Sequence, residues 1–207
     1  MSVAIKFPTT YDELAETGSS HRSFPASWEE FLDLLEVAEY RLEYDENRII
    51  TMGYASLIHE LLVAKLITLM SLSFDGDNYY VFGSGRPVHI EDKKVYLPDL
   101  QVFKEKPKLI EYRKGMDAHV NPWLIVEIMS DSTENRDWAE KLPNYKKIPT
   151  VEYILYVQQH TAYISLFKRN STGKFWENYD FDSLDQSIEI EGKSIVLKDI
   201  YQTILKD

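Results

Sequence analysis

Seven residues near the middle of the chain, Trp123-Leu124-Ile125-Val126-Glu127-Ile128-Met129, are apolar at every position but one. Such a run reads as a buried strand. Side chains alternate between the faces of a strand, so Glu127 shares a face with Ile125 and Met129. An ionised carboxylate among such neighbours costs several kcal/mol unless it is paired or bound to a cation. Glu127 therefore requires a compensating partner. A second carboxylate is placed as oddly. In Val95–Phe103, Asp99 shares a face with Leu97 and Gln101, directly after Pro98. Proline cannot donate to a sheet ladder and marks an edge, a bulge or a strand start. Two acids on two strands can bracket one hard cation. The plainer alternative pairs Glu127 with a lysine and makes Asp99 a turn cap.

The rest of the chain alternates helical and strand patterns. Residues 1–24 carry little hydrophobic pattern and read as an N-terminal extension, with a single domain over 25–207. Ser27-Trp28-Glu29-Glu30 predicts a capping box and a helix to about Ala38 that buries Phe31, Leu34 and Leu35. Arg41–Tyr44 and Ile49–Met52 predict a hairpin about Asp45–Arg48. A long helix is expected from Ala55 to Ser71, with Leu57, Leu61, Ala64 and Leu69 facing the core and Leu62 and Leu66 widening that face. Ser56, His59 and Glu60 lie on another. Asp75–Asn78 breaks the pattern. Strands follow at Tyr79–Phe82, Pro87–Ile90 and Val95–Phe103, with Glu91–Lys94 a polar turn, and residues 104–121 read as a charged connection. Lys104, Lys106, Lys108, Arg113 and Lys114 make it the densest basic stretch, yet Glu105 and Glu111 dilute it to a solvated loop. Residues 132–148 read mainly as helix, with Ser130–Thr133 as its cap, a second capping box at Asp137–Glu140, and Pro143 as a kink or new first turn. Val151–Val157 is a strand beside 123–129, since a β-helix-β passage makes parallel neighbours. Thr161–Phe167 and Lys174–Tyr179 flank a turn at Asn170–Gly173, and Val196–Leu205 is a packed tail. The fold class is α/β, a mixed sheet with helices on at least one face.

Composition removes some chemistries. The chain has no cysteine, so no disulfide or thiolate metal site exists. No apolar run approaches the roughly 20 residues of a membrane helix, and Met1–Thr10 has no signal-peptide core, which points to the cytoplasm. The net charge of −11 argues against a whole-molecule field that attracts phosphates. A metal ion can supply positive charge locally.

Several segments together resemble the Uma-type restriction endonuclease family, which has the restriction-endonuclease-like fold of the PD-(D/E)XK superfamily. They are Leu97-Pro98-Asp99, the stretch from Ile125 to Thr133, Asp137, Glu140-Lys141-Leu142, Tyr145 and Val151-Glu152-Tyr153. Arg41–Tyr44, Ile49–Met52, Ser56 and His59 match upstream, and the resemblance spans about residues 26 to 204. It implies a mixed sheet core flanked by helices, with Asp99 and Glu127 as ligands for Mg²⁺ or Mn²⁺. The superfamily's lysine, two residues after the Glu, is replaced by Met129, and Lys141 from the next helix stands in for it. The expected activity is metal-assisted hydrolysis of phosphodiester bonds, with DNA as substrate and a homodimer for cutting both strands. His59, Glu60, Glu43 and Gln101 are candidate supporting residues. A nuclease-fold binding module without catalysis, or a hydrolase of another phosphate ester, are the alternatives.

Overall fold

The computed structural model describes residues 7–19, 21–74, 78–91, 93–130 and 134–205. In chain order the elements are α1 (Tyr11–Glu16), β1 (Ser23–Pro25), α2 (Trp28–Leu35), β2 (Arg41–Asp45), β3 (Arg48–Met52), α3 (Leu57–Ser73), β4 (Tyr80–Gly83), β5 (Val88–Ile90), β6 (Lys94–Tyr96), β7 (Leu100–Phe103), β8 (Leu109–Arg113), β9 (Met116–His119) and β10 (Leu124–Met129). A helical rod follows in three parts: α4 (Glu134–Arg136), a π-helical turn (Asp137–Lys141) and α5 (Leu142–Tyr145). The chain ends with β11 (Tyr153–Gln158), β12 (Ile164–Arg169), β13 (Trp176–Phe181), β14 (Ser187–Ile190), β15 (Lys193–Val196) and α6 (Leu197–Tyr201).

The fold is α/β with two large mixed sheets. One runs β1-β3-β2-β6-β5-β9-β8 and the other β13-β12-β11-β10-β7-β4, with β14 and β15 a separate hairpin. β10 and β11 pair in parallel, Glu127 opposite Tyr156, as the β-helix-β passage requires. The β10 alternation is clean. Leu124, Val126 and Ile128 enter the core beneath α3 and α6. Ile125 and Met129 enter a second core with Leu142, Tyr145 and Ile148. A third core gathers α2 on β2 and β3.

Local sequence explains several elements directly. The Ser27–Glu30 capping box forms, and α2 ends at Leu35, three residues short of the expected end. The β2–β3 turn places Glu46 and Asn47 at φ 48° and 61°, the left-handed pair that a two-residue hairpin turn needs.

Other expectations are corrected. The strand expected over Val95–Phe103 is two strands in different sheets, β6 and β7, because the chain leaves one sheet and enters the other at Leu97-Pro98-Asp99. Residues 104–121 contain the β8–β9 hairpin rather than only a connection. α3 buries Leu62, Leu66 and Met70, while Leu57 and Leu61 are 73% and 48% exposed. That helix is apolar on nearly every side, so periodicity alone cannot choose its inner face. No second capping box restarts the rod at Asp137, because Arg136 is itself helical and the turn runs on as a π-helix. The 131–133 part of the expected cap and the 75–77 part of the expected break lie outside the described residues. Within the segment read as an extension, Leu14 is buried with Phe31 and Leu42 and β1 pairs with β3. Among the described residues, no helix is long and apolar enough to cross a membrane.

Candidate active site

Glu127 projects from β10 towards the helical rod and is 3% exposed. Its Oε1 accepts hydrogen bonds from Lys141 Nζ at 3.0 Å and from the Tyr145 hydroxyl at 2.5 Å. Lys141 is 2% exposed, and its ammonium also lies 3.1 Å from Glu43 and 3.4 Å from Asp137. Asp137, Lys141 and Tyr145 recur every four residues, a spacing that puts them on one side of the rod. The π-helical turn bonds the Leu142 N–H back to the Asp137 carbonyl, which seats Pro143, without an N–H of its own, just after it. Such turns are frequent at functional sites.

Asp99 is placed by the break between sheets. Its backbone N–H still bonds the Val126 carbonyl at 3.1 Å. One residue past the last β7–β10 pair, its side chain takes over the acceptor role, and Oδ2 receives the Ile128 N–H at 2.7 Å. The other oxygen, Oδ1, lies 3.1 Å from Nε2 of His59 in the first turn of α3. That turn is capped by Ser56, which accepts from the His59 N–H at 3.1 Å and donates to Gln159 at 2.8 Å. Leu97, on the near side of Pro98, gives its N–H to Glu43 Oε1 at 2.7 Å. Arg136 pairs with the other Glu43 oxygen.

Asp99, Glu127, Asp137, Lys141 and His59 line one cavity of about 640 Å³. Its electrostatics are uneven. Burial pushes the Glu127 carboxyl well up, and Asp137, Asp99 and Glu43 add to this against the opposing charge of Lys141. Burial would lower Lys141, but Glu127, Glu43 and Asp137 hold its ammonium charged. Burial would also raise Glu43, but Arg136, Lys141 and the Leu97 N–H keep it below its ordinary value. Burial pulls the His59 imidazole down, and the bond to Asp99 outweighs it, so its pKa stands above the ordinary one.

Of the residues singled out from sequence, Asp99, Glu127, Lys141 and His59 therefore converge, with Glu43 beneath them through Lys141. Gln101 does not join them. It bonds the Arg86 carbonyl at 2.7 Å and the His119 ring at 2.9 Å. Glu60 is exposed and does not line the cavity. The Asp137–Lys141 pair is buried on both sides. The basic stretch around residues 104–114 is largely neutralised: Arg113 pairs with Glu29, Asp33 and Glu36, and Lys104 with Glu152 and Glu191. Sequence reasoning gave no role to Arg136 or to the Tyr145 hydroxyl. The four-residue spacing of 137, 141 and 145 was the available signal for Tyr145. Among the described residues, no group of three or more His, Cys, Asp or Glu side chains is arranged to hold a metal ion. The carboxylates that line the cavity are those of Asp99, Glu127 and Asp137.

A family model described as "Putative restriction endonuclease", Uma2, matches residues 28–194. The chain belongs to the Uma2 family. The match covers every residue of the cluster just described, from Glu43 to Tyr145. Two similar proteins from Synechocystis are both described as uncharacterized. The protein sll1609 is 30% identical over 131 residues, covering 63% of this chain and 73% of its own. The protein slr1290 is 29% identical over 170 residues, covering 82% and 85%. A crystal structure from Anabaena variabilis, described as a "putative nuclease belonging to DUF820", superposes with a TM-score of 0.61 at 14% identity. It covers 96% of this chain and 100% of that one. At that identity the likeness concerns the fold.

Proposed function

We propose that this Uma2 protein is a divalent-metal-dependent nuclease that hydrolyses phosphodiester bonds, DNA first among them, in the cavity around Asp99 and Glu127. The observation that carries this reading is the charge balance at Glu127. A buried carboxylate feels three other carboxylates against the Lys141 ammonium, with the Arg136 guanidinium engaged on Glu43, beside a cavity into which a cation can enter. Two carboxylates and solvent suit Mg²⁺ or Mn²⁺, which keep several waters and take few protein ligands. When bound, such an ion supplies an activated water and neutralises phosphate charge.

The chain's own residues have separable tasks. The Ile128 N–H and His59 fix the Asp99 carboxylate from two sides. Tyr145 and Lys141 occupy Glu127 Oε1, which leaves Oε2 for a cation. Lys141, held charged and immobile, directs a positive charge at an incoming phosphate. Met129 is packed in the second core and takes no part.

One observation favours a second reading, a binding module without catalysis. Lys141 is already satisfied by three carboxylates, so the cluster is stable as a purely structural one.

The test incubates purified protein with single-stranded and duplex DNA and with RNA, in Mg²⁺ or Mn²⁺, beside Asp99→Ala and Glu127→Ala. We expect cleavage that falls by about a hundredfold or more in each variant, with loss of Mn²⁺ binding by calorimetry. Cleavage undiminished in both variants removes this site from the chemistry. Wild-type protein that neither cuts nor binds Mn²⁺ supports the second reading.

A further inference from the structure

Duplex and single-stranded nucleic acids need different surfaces. A duplex is gripped through many phosphates by a broad basic face. Several cations that could contribute to such a face are already tied to acids. Arg113 and Lys104 are tied to acids as above, Arg86 pairs with Asp117, and Lys94 with Asp45 and Glu46. A single strand is held differently, by aromatic rings on which bases stack and by a few cations along its backbone.

The mouth of the Asp99–Glu127 cavity has both. Tyr54 and Arg41 are among its lining residues. Tyr54 is 76% exposed, a high value for a tyrosine that buries little of its own surface. One face of its ring stacks on Tyr11, with centroids 3.9 Å apart and planes at 14°. Tyr11 is set edge-on against Tyr40 at 5.9 Å, and Tyr40 is 5% exposed in the core. Tyr54 is thus the outer end of an anchored aromatic ladder, and its other face meets water. Arg41 begins β2 opposite Met52 at the end of β3, two residues before Tyr54. It is exposed, and no described carboxylate forms an ion pair with it, unlike Arg48, Arg86, Arg113 and Arg136.

We infer that the cavity takes single-stranded nucleic acid, with an unpaired base stacked on the outer face of Tyr54 and a neighbouring phosphate held by Arg41. The inference rests on the nuclease reading above and narrows its substrate. A base inside a duplex has both faces covered and cannot reach Tyr54 without leaving its stack. One strand needs one site, so the inference does not require a twofold dimer.

The test measures binding by fluorescence anisotropy without divalent cation, so that no cleavage intrudes. The probes are a labelled DNA strand of about 12 nucleotides, an RNA strand of the same sequence, and the DNA duplex. We expect either single strand to bind more tightly than the duplex, and the tighter of the two identifies the sugar. Tyr54→Ala weakens single-strand binding by about tenfold. Tyr54→Phe, which keeps the ring, stays within about twofold, and Arg41→Ala weakens binding with a shallower salt dependence. In a strand scanned with single abasic positions, one position abolishes the effect of Tyr54→Ala. Equal or tighter duplex binding, or Tyr54→Ala binding as wild type, overturns the inference. If the wild type and Tyr54→Ala then cleave alike in Mg²⁺, the stacking site alone has failed. If no probe binds and no Mn²⁺ is taken up, the nuclease reading fails and the inference with it.

Discussion

Lys141 is the buried cation around which the site's carboxylates gather. It is 2% exposed and touches Glu43, Glu127 and Asp137. Removing one partner of a buried ion cluster leaves charges without compensation, at a cost of about 3–5 kcal/mol. Lys141→Met, similar in length, is expected to lose about that much in urea denaturation. Adding Glu127→Gln to it should restore part of the loss, because the two sites are coupled. Additive losses would show that the pair does not act as one unit. Glu43 makes a prediction about pH. Its native pKa lies below its ordinary value of 4.5, so the folded state binds the proton less readily than the unfolded chain. Its contribution to stability is complete above that ordinary value and is lost as pH falls from there through the lowered native one. Unfolding free energies measured across that acid range should fall for the wild type and fall less steeply for Glu43→Gln. At this scale the sequence was informative because a carboxylate inside an apolar strand has few physical excuses. It was silent on Arg136, whose partner Glu43 lies 93 positions away.

Elements turn those residues into a site, and two short devices do most of it. The π-helical turn places Asp137 and Lys141 against β10, and the Ser56 cap fixes the first turn of α3, where His59 reaches Asp99. Ser56 satisfies the His59 N–H and links to Gln159. Ser56→Ala is expected to cost about 1 kcal/mol and to reduce cleavage through His59, while Ser56→Asp, another good cap, keeps most of the stability. A melting temperature unmoved by the alanine change would remove the cap from the account. Capping boxes and two-residue hairpins are legible in sequence because their causes lie within four residues, as α2 and β2–β3 illustrate. The β8–β9 hairpin was not legible. Its short strands mix apolar residues such as Leu109, Ile110 and Met116 with charged ones, and it joins the rest of its sheet through Val88 of β5 opposite His119, a contact made only by the assembled sheet.

The whole molecule imposes a constraint on affinity. With a net charge of −11 and one cation, Arg41, at the stacking site, few phosphates are neutralised at once in this mode of binding. Binding of a single strand should therefore show a shallow salt dependence. A plot of log K against log salt is expected to have a slope near about −1 to −2, at roughly −0.7 per phosphate. A slope steeper than about −5 would reveal a broad basic footprint and would contradict the arrangement around Arg41. Measuring the affinity of labelled oligonucleotides at several salt concentrations decides it. The two sheets also explain how Asp99 comes to line the same cavity as Glu127. The chain passes from one sheet to the other at Pro98, and the vacated ladder position on β10 is filled by the Asp99 side chain.

By itself the sequence determined the α/β class, the β10 strand with its misplaced carboxylate, the parallel partner β11, and the need for a cation or an ammonium beside Glu127. These follow from periodicity and from the cost of burying charge, both of which act over a few residues. Only the tertiary structure decided which face of α3 is buried, that Val95–Phe103 is split between sheets, that Gln101 turns away to His119, and that Glu43 and Asp137 close around Lys141. Those outcomes depend on contacts between segments far apart in the chain, and no local pattern of residues encodes such distances.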